Sequence, residues 1–446
     1  MTTIPEFSAL RRFDWSQASA AQRSEALSRP LSSSSDELLA KVQRILDQVR
    51  ADGDGALRAL TRRFDQCELA EFAVSDAELA AAAASLGEPL KQAIDDSRRR
   101  IERFHRETRP QPIALSTAPG VMCERLPLPI VRVGLYVPAG SAPLPSTALM
   151  LCIPARLAGC REIVLCTPPR ADGSADPAVL YAAQACGVTR IYKLGGVQAI
   201  GAMAYGCDSF ARVDKIYGPG NAYVTAAKWL VSHEQGGVAI DMPAGPSEVL
   251  VVADAMAEPE FVAADLLSQA EHGPDSQTLL VTDNADLVGT VNEALAMLLR
   301  ELPRAAQASQ ALAHSRAIVV DNLDQAIEVS NAYAPEHLIL NVADPRRLLL
   351  SVENAGSVFL GRYTPESLGD YTSGTNHVLP TYGHARTLSG LSVQSFQKLV
   401  TVQEASAEGL KAIGPAAMTM AHAEGLHAHA LAVQLRLRAI ASEGRP

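Results

Sequence analysis

The sequence predicts an α/β protein of two tandem, incomplete Rossmann-like parallel-sheet domains, with a helical N-terminal region and a helical C-terminal limb. Three observations carry this. From about residue 125, short β-branched runs alternate with Ala- and Leu-rich helical stretches, the pattern of βαβ units. A second such series begins near residue 248, so the pattern repeats in tandem. The chain has 446 residues, 48% of them hydrophobic, which is enough for more than one core.

Composition narrows the function. The net charge of -10, with acids and bases interspersed, argues against nucleic acid and no membrane span is visible, which leaves small molecules as partners. The N-terminus MTTIPEFSALRRFDW lacks an apolar signal core, so a cytoplasmic location is expected. Cys67, Cys123, Cys152, Cys160, Cys166, Cys186 and Cys207 form no CxxC pair, which fits reduced thiols. One of them as a nucleophile toward an aldehyde stands beside the simpler reading of buried small hydrophobes.

Residues 1–125 read as the helical region. Ser34 with Glu37 and Ser75 with Glu78 have capping-box spacing, and Leu39, Val42, Leu46 and Val49 make an apolar stripe. The basic run at 97–107 is a solvated helix face, with Ile101 and Phe104 on the packed side. Residues 126–240 form the first unit, with strands at 130–137, 162–166, 189–194 and 213–217; 168–176 is a surface loop. Residues 241–380 form the second, with strands at 248–252, 278–282, 317–320 and 338–342 and helices at 259–272, 284–300 and 323–332. Residues 381–446 are the limb. Two such units leave a cleft, and ligands are expected at the carboxyl ends of their strands.

The loops hold the chemistry. Tyr136 opens one glycine-bearing loop and Tyr217 to Asn221 form another, but neither is GxGxxG, and ordinary turns account for both equally well. IDMPAGPSEVL presents Ser247 before a strand. Gln269 and His272 lie one turn apart at a helix end where the dipole favours a cation, although a polar helix end in water has the same spacing. In AYAPEH, Glu336 and His337 suit proton transfer, and they can share a site only if they lie in the turn. The long aperiodic stretch 353–393 offers Asp370, His377 and His384; the limb offers Glu424, His427 and His429, without HExxH.

The strings PAGPSEVLVVAD, SQAEHGPDSQ, NAYAPEHL, ENAGSVFLG, SLGDYTSGTNHVLPT, GLSV and AEGLHAHA, in this order, resemble the histidinol dehydrogenase family over about residues 30–440. The resemblance implies oxidation of L-histidinol through L-histidinaldehyde to L-histidine with two NAD, by a homodimer with exchanged terminal pieces. It implies zinc ligands at Gln269, His272, Asp370 and His429, acid/base residues at Glu336 and His337, and substrate contacts that include Ser247 and Glu424 together with the zinc ligands and His337. It implies NAD contacts at Tyr136, Gln198 and Asn221. Oxygen and nitrogen donors without thiolate suit zinc, and Asp370 would be its one anionic protein ligand. A zinc hydrolase, a non-catalytic binding protein and a cysteine-dependent aldehyde oxidiser are the rival readings.

Overall fold

A computed structural model describes residues 7, 9–30, 36–139, 143–243 and 245–443. Ser34 of the expected first capping box lies outside the described residues. The second box is present: the Ser75 side chain accepts from Glu78 N, and the Glu78 side chain accepts from Ser75 N at 2.8 Å.

The first unit is a five-stranded parallel sheet. Its central strand, Arg132–Tyr136, lies between Glu162–Thr167 and Lys215–Tyr217, with Ile191–Lys193 and Ala239–Ile240 at the edges. The second repeats this order: Glu248–Ala253 lies between Gln277–Thr282 and His337–Asn341, flanked by Arg316–Val319 and Ser357–Leu360. All six residues of Glu248–Ala253 are buried, the mark of a strand covered on both faces. In each unit the order reverses beside the central strand, where ligands of such sheets gather.

Helix Asp36–Phe64 packs along helix Gly196–Tyr205 of the first unit. Val42, Leu46 and Val49 are buried at this contact, each side chain contributing about 1.5–3 kcal/mol of burial. Gly201 allows the approach, since a Cβ there would stand 3.2 Å from Val49 Cγ1.

Two departures from the expected layout concern the ends of the chain. Residues 1–125 are not wholly helical: Arg11–Asp14 adds a sixth parallel strand to the second sheet, beside Arg316–Val319. Ile113–Ala118 and Val121–Pro129 pair antiparallel, and Gln397–Ala405, from the limb, completes that sheet. A four-residue strand has no readable period, and Pro127 and Pro129 disguise another. Helices Ala407–Ala423 and His427–Glu443 then pack on one another and lightly on this sheet. Among the described residues, no helix is long and apolar enough to cross a membrane.

Candidate active site

Glu248 opens the central strand of the second sheet, and its backbone meets both Glu336 and His337. Its N–H donates to Glu336 Oε2 at 2.8 Å, and its carbonyl accepts from His337 Nδ1 at 3.0 Å. A carbonyl can only accept, so Nδ1 carries a proton and, in the neutral ring, Nε2 carries the lone pair. Nε2 is buried without a hydrogen-bond partner, 3.6 Å from Asp370 Oδ1. Glu336 precedes the strand and His337 begins it, after a left-handed Ala334 at φ 56° that closes the preceding helix. The turn therefore gives both side chains one site, as the sequence required, with Glu336 Oε2 3.6 Å from His337 Nδ1.

Gln269 lies in the last turn of helix Pro259–Ala270, which ends two residues earlier than the spacing suggested. His272 lies in the following turn and keeps its place by donating its backbone N–H to the Gln269 carbonyl at 3.2 Å. In the amide orientation that gives both ends a partner, the Gln269 nitrogen donates to Glu366 Oε1 at 2.7 Å and its oxygen accepts from Glu248 N at 3.1 Å. Glu366 also accepts from Ser268 Oγ at 2.6 Å. Asp370 stands one turn further along the same short helix, Glu366–Tyr371.

His377 is not a free ligand: Nδ1 donates to the Asp370 carbonyl at 2.9 Å, and Nε2 meets Thr147 Oγ1 at 3.2 Å. Thr147 is in the first turns of helix Pro145–Ala158, at the carboxyl edge of the first sheet, so this chain of contacts links the two units. His384 lies apart, in the short turn of helix His384–Arg386. Ser247 is half-buried just before the central strand, its carbonyl accepting from Gln277 N at 3.1 Å.

Charge at this site is concentrated and buried. Burial raises Glu336 and Glu366 to about 8 each and Asp265, behind Ser268, to about 7. Burial pulls His337 down, but Glu336, Asp370 and Glu366 outweigh it and lift the imidazole to about 10. Burial would raise Asp370, yet His337, His377 and His272 hold it below the usual carboxylate range. An amide oxygen, an imidazole and an ionised carboxylate, set among further buried acids, fit a divalent cation with nitrogen and oxygen preferences. Among the described residues, one chain gathers no group of three His, Cys, Asp or Glu side chains able to hold a metal. Glu424 and His429 are not brought to the cluster, and both stand exposed on the limb, as does His427.

The site also departs from the expected edge. Ser247, Glu248, Glu336 and His337 lie at the amino ends of their strands, whereas the expectation was the carboxyl ends. Strand entries here supply backbone N–H and C=O groups that orient the side chains.

The first unit keeps to the expected edge. Tyr136 ends its central strand, with its buried hydroxyl accepting from Gly196 N at 3.0 Å. Gln198, in the first turn of helix Gly196–Tyr205, donates Nε2 to Asp65 Oδ2 at 3.1 Å. Asn221 caps helix Ala222–His233, its Oδ1 accepting from Tyr223 N and Val224 N at 3.1 Å each. Gly218 has φ 121°, and a Cβ would lie 2.1 Å from the Tyr136 carbonyl oxygen, so only glycine fits. A buried Lys228–Asp241 pair holds this loop: Nζ donates to the Gly218 carbonyl and Asp241 Oδ2 accepts from Gly218 N, both at 2.8 Å. Two helix N-termini beside a glycine loop suit the phosphates of a dinucleotide.

The cysteines do not suit nucleophilic catalysis. Burial pushes Cys152 and Cys166 up, Cys160 and Cys186 to about 12 and Cys207 to about 11, and Cys67 is also raised. Cys123 is on the antiparallel sheet.

Two parallel-sheet units, with adjacent acid and imidazole side chains in the second and helix N-termini beside a glycine loop in the first, define a mixed α/β protein. The histidinol dehydrogenase family profile matches residues 28–437, so the chain belongs to the histidinol dehydrogenase family, whose members are NAD-dependent oxidoreductases. It is 60% identical to the histidinol dehydrogenase of Xanthomonas campestris pv. campestris, covering 96% of this chain and 99% of that one. It is 51% identical to that of Vibrio cholerae over 96% of this chain and 98% of the relative. The crystal structure of histidinol dehydrogenase from Elizabethkingia anophelis matches with TM-score 0.93 and 46% identity, over 97% of this chain and 98% of that one.

Sequence reasoning missed Glu248, Glu366 and Thr147. Glu366 had a signal, since it stands four residues before Asp370 and shares its helix face. Glu248 was the lone acid heading an apolar strand. Nothing in the sequence marked Thr147.

Proposed function

We propose that the chain oxidises L-histidinol through L-histidinaldehyde to L-histidine with two NAD, in the cytoplasm, as a zinc-dependent homodimer. The observation that carries this is the His337 ring, whose Nδ1–H is committed to the Glu248 carbonyl while Nε2 is buried and unpartnered beside Asp370. His337 Nε2 takes the substrate's hydroxyl proton as a hydride leaves the carbinol carbon for NAD. Glu336 takes a proton from the water that adds to the aldehyde carbonyl, and the protonated His337 returns its proton to the carbonyl oxygen to give the diol. His337 then takes a proton from the resulting diol as the second hydride leaves, and the carbon becomes the carboxylate. The cleft between the units keeps the aldehyde from solvent between the two oxidations.

Gln269, His272, Asp370 and His429 would hold zinc, which supplies an electrophilic anchor for the substrate's amine and imidazole and a positive charge that lowers proton affinity at His337. Ser247 and Glu424 would contact the substrate, and Tyr136, Gln198 and Asn221 would line the NAD side. On this reading residues 126–240 carry NAD, 241–380 carry zinc and the acid/base pair, and the limb from 381 crosses to a second copy. Exposed apolar residues on the limb support the exchange, among them Met420, Leu426, Leu431 and Leu435.

Subunit complementation tests the reading. His337→Ala and His429→Ala homodimers should each be inactive. Refolded together, random pairing makes about half the dimers mixed and restores about a quarter of all sites. Active mixtures should release two NADH per L-histidinol consumed. No recovery in demonstrated mixed dimers would refute shared sites, and one NADH per histidinol would refute the four-electron reaction.

A further inference from the structure

Arg29 enters the second unit from the N-terminal segment, between helix Ala20–Ala26 and the central strand of the sheet, and little of its side chain reaches solvent. It makes a two-point pair with Glu248, Nε to Oε1 at 2.5 Å and Nη2 to Oε2 at 2.9 Å. Its Nη2 also donates to the Tyr333 carbonyl at 2.9 Å, and its guanidinium lies 3.9 Å over the Tyr333 ring. Tyr333 is the last residue of the helix that leads through Ala334 and Pro335 into Glu336 and His337. One side chain therefore ties together both chain segments that form the acid/base site.

The consequence runs through Glu248. Its carboxylate is 2% exposed and is paired with the Arg29 guanidinium; a backbone N–H from Tyr382 at 2.8 Å supplements the pair. A buried carboxylate stripped of its cation is costly, so it must move toward other partners. Movement of residue 248 shifts the N–H that holds Glu336 and the carbonyl that fixes the His337 tautomer. We propose that Arg29 is a positioning residue for the reaction, acting through Glu248 to keep Glu336 and His337 in register with the substrate. This rests on the acid/base roles proposed above for that pair.

The test uses the zinc-loaded full-length enzyme carrying Arg29→Gln or Arg29→Lys, each also combined with His337→Ala. Arg29→Gln should lower kcat roughly 10- to 100-fold with L-histidinol and with supplied L-histidinaldehyde, the scale of a misplaced catalytic group. KM for NAD should stay within about twofold, because the first unit is untouched, and Arg29→Lys should recover part of kcat. In the His337→Ala background, Arg29→Gln should cost less than about threefold more, since coupled residues are not additive. Should Arg29→Gln fail to fold, Arg29→Lys is judged by the same double-mutant comparison. An unchanged kcat in a folded variant, a matching rise in KM for NAD, or an undiminished Arg29 effect without His337 would each overturn the proposal. A fully active His337→Ala would overturn the acid/base reading and this proposal with it. An impaired His337→Ala with an undiminished Arg29 effect overturns this proposal alone.

Discussion

The two parallel-sheet units share one strand order, and their candidate ligand residues stand at opposite edges of it. In the first, Tyr136, Gln198 and Asn221 stand at the carboxyl edge, where helices Gly196–Tyr205 and Ala222–His233 begin. In the second, Glu248, Glu336 and His337 stand at the amino edge, where helix Pro259–Ala270 ends. Helix N-termini carry partial positive charge and favour phosphate, whereas helix C-termini carry partial negative charge and favour cations. One architecture thus offers an anion-favouring edge and a cation-favouring edge, linked through Thr147, His377 and Asp370. Strand order places a crevice beside the central strand in both units, while the helix ends gathered at each edge set the sign of charge which that edge favours.

The largest expected effect breaks the second edge alone. His337→Ala should slow both oxidations by roughly 100- to 10,000-fold, the range of a lost general base. Glu336→Gln should leave histidinol-to-aldehyde turnover within a few fold of wild type and slow only the aldehyde-to-histidine half, read by stopped-flow NADH formation from each substrate. Equal slowing of both halves by Glu336→Gln would show that the carboxylate serves the imidazole rather than the water.

A paired experiment asks whether the edges are separable. Asp370→Asn removes the one anionic zinc ligand proposed from the body of the chain, so zinc affinity should fall about 10- to 100-fold and histidinol binding with it, while NADH binding persists. Gly218→Ala should do the reverse. Its Cβ would overlap the Tyr136 carbonyl at 2.1 Å, and relief of that clash costs on the order of 1–3 kcal/mol, raising Kd for NADH about tenfold with zinc content unchanged. Calorimetric titration of each variant with NADH and with histidinol reads both arms. A variant losing both ligands equally would mean the edges behave as one site.

Much of this comparison was legible in the sequence. Alternating β-branched and Ala-rich segments located both sheets, and the Gln269/His272 and Glu336/His337 spacings picked out residues that the fold gathers beside the second sheet. What was not legible depends on contacts distant in sequence. Glu248 matters through its backbone, which no side-chain pattern reports, and Arg29 meets it across 219 residues. The strand Arg11–Asp14 is too short for periodicity and is recruited by the exposed edge of Arg316–Val319. The amino-edge placement also escaped, because the general rule for parallel sheets describes nucleotide-like ligands. Glu424 and His429 were visible as polar residues of the limb, but their roles came from family resemblance alone, and the fold of one chain leaves them exposed.

The smallest expected effect compares buried acids. At the second sheet Asp370 is flanked by the imidazoles of His337, His377 and His272, whereas Asp65, from the N-terminal region packed on the first unit, is met by the neutral amide of Gln198. Burial raises Asp65 to about 6, against an ordinary value of 3.8, and the Gln198 hydrogen bond offsets only part of that. The folded state therefore binds this proton more tightly than the unfolded state. Its stabilising contribution is complete below about pH 3.8 and is lost as the pH rises through about 6. Asp65→Asn keeps an oxygen for Gln198 and removes the charge. Two pKa units correspond to about 3 kcal/mol, and partial exposure of Asp65 reduces the expected gain to about 1 kcal/mol at pH 8. The variant should accordingly unfold about one or two degrees higher than wild type at pH 8, with the difference shrinking toward zero as the pH falls below 5. Thermal melts across that range, without NAD, make the measurement. A pH-independent difference would show that Asp65 ionises in the fold as freely as it does in the unfolded chain, and its contrast with Asp370 would then vanish.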